Sequence, residues 1–191
     1  MQVKTVLYSY KYKMCYIPIY KNASITFTEF FLENGWFSMS LDDVRGKEVQ
    51  LYFAHIQHPY ARFLKGITQI LYSRNKRAAL HGPEGIFALK TYHDPHVMAI
   101  SDWIPKDILN DTHFIPMDAP NGCNSATNKF FDDMWMNLSI QTIKHQSTNA
   151  QKNALEEVKK SYGLHIDPKG NQLYRDIIQV YATDLALHQE A

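Results

Sequence analysis

Met14-Cys15-Tyr16-Ile17-Pro18-Ile19 runs directly into Tyr20-Lys21-Asn22-Ala23-Ser24-Ile25-Thr26-Phe27, and the change of pattern between the two decides the fold. The first stretch is a short apolar run rich in Ile and Tyr, the make-up of a buried strand. The second opens on polar Lys21-Asn22. It then places Phe27, Phe30 and Phe31 at i, i+3 and i+4, the apolar stripe of an amphipathic helix. Asn34-Gly35 suits the end of that helix, because both residues tolerate the left-handed backbone that follows a helix C-terminus. A strand passing through a tight loop into a helix is the first unit of an α/β layer fold.

The alternation continues downstream. Trp36–Leu41 and Val49–Ile56 read as strands. Pro59 fits the first turn of the next helix, where its missing N–H costs nothing. Phe63, Ile67, Ile70 and Leu71 supply the buried face of that helix, and Arg74, Lys76 and Arg77 fall toward its end, where the helix dipole favours cations. Gly82-Pro83 breaks the chain, Ile86–Leu89 begins a short helix or strand, and His113–Met117 is a further strand ended by Asp118-Ala119-Pro120-Asn121-Gly122. Helices are expected over Thr127–Ile143, Asn149–Tyr162 (stopped at Gly163) and Asn171–Gln189. The prediction is a three-layer α/β protein with a mainly parallel sheet flanked by helices. With 191 residues and no repeat or linker, residues 1–191 are expected to form a single domain.

Composition narrows the function. An apolar share of 45% excludes a disordered chain. The 20 Lys and Arg nearly balance 19 Asp and Glu, so the large basic excess of a duplex-wrapping protein is missing. Two cysteines, Cys15 and Cys123, are too few for a disulfide framework or a four-cysteine zinc site. No stretch approaches the length of an apolar membrane span, and the N-terminal tyrosines and lysines interrupt anything like a signal peptide. The expectation is a cytoplasmic protein with neither nucleic acid nor membrane as partner.

Two strand-to-helix turns carry the chemistry. Around Lys21, N–H groups at the start of a helix, a lysine, and the hydroxyls of Ser24 and Thr26 make a potential anion site. The plain alternative is a structural turn in which Ser24 caps the helix. The second turn spans Phe53–Gly66, where Arg62 and Lys65, three apart, share a helical face at the carboxyl edge of the sheet. Its alternative is a solvated basic face. The nucleotide-triphosphatase loop GxxxxGK[ST] is absent.

Taken together and in this order, the two turns resemble the sulfotransferases that use 3′-phosphoadenosine 5′-phosphosulfate (PAPS), above all the carbohydrate-type branch and its small phage and bacterial relatives. The family loop P-K-x-[AG]-[ST]-[ST]-[ST] matches Tyr20-Lys21-Asn22-Ala23-Ser24-Ile25-Thr26. The family motif R-D-P-x-x-R-x-x-S matches Gln57-His58-Pro59-Tyr60-Ala61-Arg62-Phe63-Leu64-Lys65. Asp94–Ile104 is similar to the D-x-H-T-x-P-Q-S segment, and Ile178–Leu185 to the terminal IYxxDxxL helix. Tyr20, Gln57, His58 and Lys65 replace the family's proline, arginine, aspartate and serine. Gln57 keeps a donor without a charge, while Lys65 restores a cation.

The resemblance implies a P-loop-like architecture and PAPS as co-substrate, with no metal. Lys21, Asn22, Ala23, Ser24, Ile25 and Thr26 would cradle the 5′-phosphosulfate, with Lys21 also catalytic. Gln57 and Lys65 would face the 3′-phosphate. His96 is the leading candidate for general base, with His93 and Asp94 behind it. The acceptor would be a hydroxyl or amine of a carbohydrate or small metabolite. Two other readings stay open: a catalytically inactive sulfotransferase-like binding or assembly module, and a phosphate-ester binder. Trp36, Tyr92 and Trp103 read equally as core or as sugar platforms.

Overall fold

The computed structural model describes residues 2–74, 96–119, 122–141, 149–161, 163 and 169–191. The chain forms two compact units, one made of Met1–Gln57, Ile100–His145 and Leu187–Ala191, the other of His58–Ala99 and Gln146–Ala186. The break at Gly82-Pro83, the segment Ile86–Leu89, Lys76, Arg77, Tyr92, His93 and Asp94 lie outside the described residues.

The first unit holds a five-strand sheet of order β3-β1-β2-β4-β5, with β1 at Thr5–Ser9, β2 at Met14–Tyr16, β3 at Phe37–Ser40, β4 at Leu51–Ile56 and β5 at Thr112–Pro116. β2, β4 and β5 are parallel neighbours, whereas β1 pairs antiparallel with both β2 and β3. The sheet is therefore mixed rather than mainly parallel. The cause is local: only residues 10–13 separate β1 from β2, and so short a connection allows only an antiparallel return.

Helix α1 (Ser24–Glu33) follows β2, and the short α2 (Leu41–Arg45) follows β3, capped by Ser40 Oγ accepting from Asp43 N–H. Phe27 and Phe31 of α1 share a core with Leu7, Tyr16, Phe53 and Ile115 of the sheet and Phe130 of a later helix, most of them fully buried. The predicted stripe and the Asn34-Gly35 stop are both present, with Gly35 at φ +79°. Two one-turn helices, α4 (Ile100–Trp103) and α5 (Lys106–Leu109), precede β5.

The helix after β5, α6, spans Cys123–Asp133, starting and ending earlier than the Thr127–Ile143 expected from spacing. Its end is a Schellman motif: Met136 N–H donates to Phe131 O at 2.8 Å and Trp135 N–H to Asp132 O at 3.0 Å. Trp135 thus occupies the left-handed position (φ 53°) usual for glycine, and it is 94% exposed. Beyond it, Asn128 replaces the helix by clamping Ile140 from both sides, Nδ2 to Ile140 O at 2.9 Å and Ile140 N–H to Oδ1 at 2.7 Å. A Trp135→Gly variant relieves the backbone without uncovering anything buried. It is expected to be more stable by roughly 0.5–1 kcal/mol in a urea titration, and a loss of stability would contradict this account.

The second unit is helical among the described residues. α3 (Pro59–Arg74) packs against α7 (Asn149–Ser161) and α8 (Gln172–Val180), burying Phe63, Ile67 and Ile70 with Val158, Leu173 and Ile177. Gly66 lies against the His96 backbone, where the His96 carbonyl leaves no room for a Cβ. The expected single terminal helix is two, α8 and α9 (Ala182–Glu190), parted at Tyr181 (φ −104°, ψ 31°). The Tyr181 hydroxyl donates to Val97 O, within the same unit. Among the described residues no helix is long and apolar enough to cross a membrane.

Candidate functional site

Because β2 and β4 are hydrogen-bonded parallel neighbours, the Lys21 loop and Gln57 leave the sheet at the same carboxyl edge, where open α/β sheets place their ligands. The ladder continues past β2 through Ile17 N–H to Phe53 O at 2.9 Å, and Asn22 N–H then closes a turn on Ile19 O at 3.1 Å. Two side chains fasten the loop. Trp103 Nε1 donates to Pro18 O at 3.3 Å, with its ring edge-on to Tyr20 at 5.5 Å. Asn22, fully buried, donates through Nδ2 to His55 O at 2.7 Å, tying the loop to the end of β4.

The loop backbone is unusual. Lys21 (φ 67°) and Ala23 (φ 53°) are both left-handed although neither is glycine, a conformation that costs about 1–2 kcal/mol per residue and that the surroundings must hold in place. Ala23, not Ser24, is the N-cap of α1; no side chain caps the helix, and its first turn contains no acid. The structural alternative of a serine cap is therefore not what the chain adopts. A left-handed residue followed by helical Ser24 turns successive N–H groups into one concavity suited to an anion. The positive end of the helix dipole adds to it, without a carboxylate nearby in sequence to offset it. Lys21, Ser24 and Thr26 are half-buried at this mouth, while Ile25 is exposed.

The second turn divides between the units. Gln57 is buried at the end of β4 in the first. Lys65, exposed on α3, and His96, half-buried beside Gly66, belong to the second. Arg62 and Lys65 do not share a solvated face. Arg62 is 2% exposed, donates to Met98 O, and faces the negative charge of buried Asp184. Burial lowers the Arg62 pKa and Asp184 partly offsets that effect. His58 accepts Tyr60 N–H at Nδ1 (3.3 Å) and so serves the start of α3.

Sequence reading missed the support behind the loop. His55 is buried in β4, its ring stacked on Phe27 at 3.5 Å between centroids, with Nε2 3.0 Å from Thr127 Oγ1 of α6. Desolvation pushes its pKa from 6.5 down to about 3, so the ring is neutral. A histidine in an otherwise apolar strand was the signal available. Trp36 and Trp103 are both core residues rather than platforms. No family model matches the sequence, and no curated protein or solved structure matches it.

Proposed function

We propose that the Lys21–Thr26 loop binds the phosphosulfate end of PAPS and that the chain is a sulfotransferase, moving a sulfuryl group to a hydroxyl or amine of a carbohydrate or small metabolite. The observation that carries this reading is the paired left-handed backbone at Lys21 and Ala23 ahead of an uncapped, acid-free helix start at the carboxyl edge of two parallel strands. An α/β sheet flanked by helices accommodates the three-layer, P-loop-like architecture that belongs with it.

Sulfuryl transfer resembles phosphoryl transfer in needing position and charge stabilisation more than covalent chemistry. In this proposal Lys21 steadies the charge that builds on the leaving phosphate, while the loop N–H groups, Ser24 and Thr26 hold the 5′-phosphate. The sequence resemblance assigns Gln57 and Lys65 to the 3′-phosphate and His96 to proton removal from the acceptor. One observation favours the inactive module as a second reading: Arg62, the arginine retained from the family motif, is buried beside Asp184.

Thermal unfolding with 3′-phosphoadenosine 5′-phosphate separates the readings, since a ligand of the native state at 100 times its Kd adds about 2.7 kcal/mol. A clear upward shift, largely abolished by Lys21→Ala, is expected. An equal shift with AMP would make the loop a general phosphate-ester site. No shift with any nucleotide, or binding without release of labelled sulfate from PAPS over a broad acceptor panel, would leave the module.

A further inference from the structure

Among the described residues, three buried side chains around the floor of the Lys21 loop each carry a polar atom with no hydrogen-bond partner: the Tyr16 hydroxyl, Asn22 Oδ1 and His55 Nδ1. All three belong to one neighbourhood. The Tyr16 ring stands 5.7 Å from the His55 ring, and the Asn22 amide already bonds the His55 carbonyl.

The chemistry of the three atoms follows from their neighbours. Thr127 Oγ1 lies 2.8 Å from Cys123 O, and two oxygens so close need the hydroxyl hydrogen between them. Thr127 can then only accept from His55, which assigns the hydrogen of the ring to Nε2 and leaves Nδ1 a bare acceptor. Asn22 spends its NH₂ on His55 O, so Oδ1 is a second bare acceptor. Tyr16 contributes the donor. Two acceptors and one donor complement a single water, which gives two hydrogens and receives one. A metal or ammonium ion does not suit the place, because no carboxylate is among these groups to balance it and desolvation holds His55 neutral.

We infer that one internal water, held by Tyr16, Asn22 and His55, is a built part of the loop floor and links the loop to both β2 and β4. The water stands whether or not the loop binds PAPS. It ties down Asn22, which stands between the left-handed residues Lys21 and Ala23.

The test uses the full chain, labelled with ¹⁵N and ¹³C, without any nucleotide. Exchange-edited NOE spectra are expected to show a long-lived water contacting the Asn22 amide and the His55 ring, and long-range ¹H–¹⁵N spectra to show His55 as the Nε2–H tautomer. Absence of the water contacts overturns the inference, as does the Nδ1–H tautomer. In Tyr16→Phe both water contacts are expected to disappear, and their full persistence would refute the three-point site. Should that variant not fold, the wild-type spectra still decide.

Discussion

An Arg62→Leu variant is expected to lose about 3–5 kcal/mol of unfolding free energy in urea, and Asp184→Leu a similar amount, while the double variant recovers most of the loss. Each residue is almost completely buried, at 2% and 1% exposure, in a unit whose core is otherwise mostly apolar. Removing one charge takes away an opposite charge that offsets the desolvation of the other, which is the costly outcome. Replacing both with leucines leaves neither charge to be desolvated. The Met98 carbonyl, which Arg62 now serves, loses that donor in the double variant. Strictly additive losses would show that the two charges are not coupled and that Arg62 is held by the Met98 contact alone. The experiment also bears on function, since a protein that needs Arg62 inside its core does not have it to offer to a nucleotide.

That pair shows how far sequence reading reached and where it stopped. The segment Ile178–Leu185 stands out as a pattern, yet nothing in spacing says that its aspartate comes within electrostatic reach of an arginine more than 120 positions earlier. Contacts at such separation are decided by packing, not by local preference. Elements with strong local signals fared better: the stripe of Phe27 and Phe31, the proline start of α3 and the Gly163 stop all lie where periodicity and turn chemistry put them. β1 was not recognised because Tyr8-Ser9-Tyr10-Lys11-Tyr12-Lys13 mixes the end of a strand with its turn, and without that strand the sheet looked more parallel than it is. α6 was drawn too long because Leu138 preserves the helical spacing after the backbone has already turned at Trp135. At the candidate site, the loop was legible from Lys21, Ser24 and Thr26. Its two left-handed residues and the Asn22–His55 tie were not, since neither Lys nor Ala signals that conformation.

Acidification is expected to weaken the protein through His55. Its native pKa of about 3 lies below the ordinary 6.5 because the ring is buried against Phe27, whereas the unfolded chain takes up the proton near 6.5. The unfolded state therefore binds more protons below pH 6.5, so this contribution to stability is fully present above that pH and falls as pH drops toward 3. The slope approaches about 1.4 kcal/mol per pH unit for a single group. Urea titrations between pH 7.5 and 5 isolate the effect, because most carboxylates titrate lower. His113, exposed on β5 but also shifted downward by partial desolvation, adds a slope of the same sign. A His55→Phe variant keeps an aromatic ring beside Phe27 and removes the proton-binding group; it gives up the Thr127 hydrogen bond, which lowers stability by a similar amount at every pH in the window. Its curve is expected to run flatter than that of the wild type by nearly the whole single-group slope. Parallel curves would mean that His55 is protonated as readily in the folded protein as in the unfolded chain, and that the floor of the Lys21 loop is open to water rather than sealed.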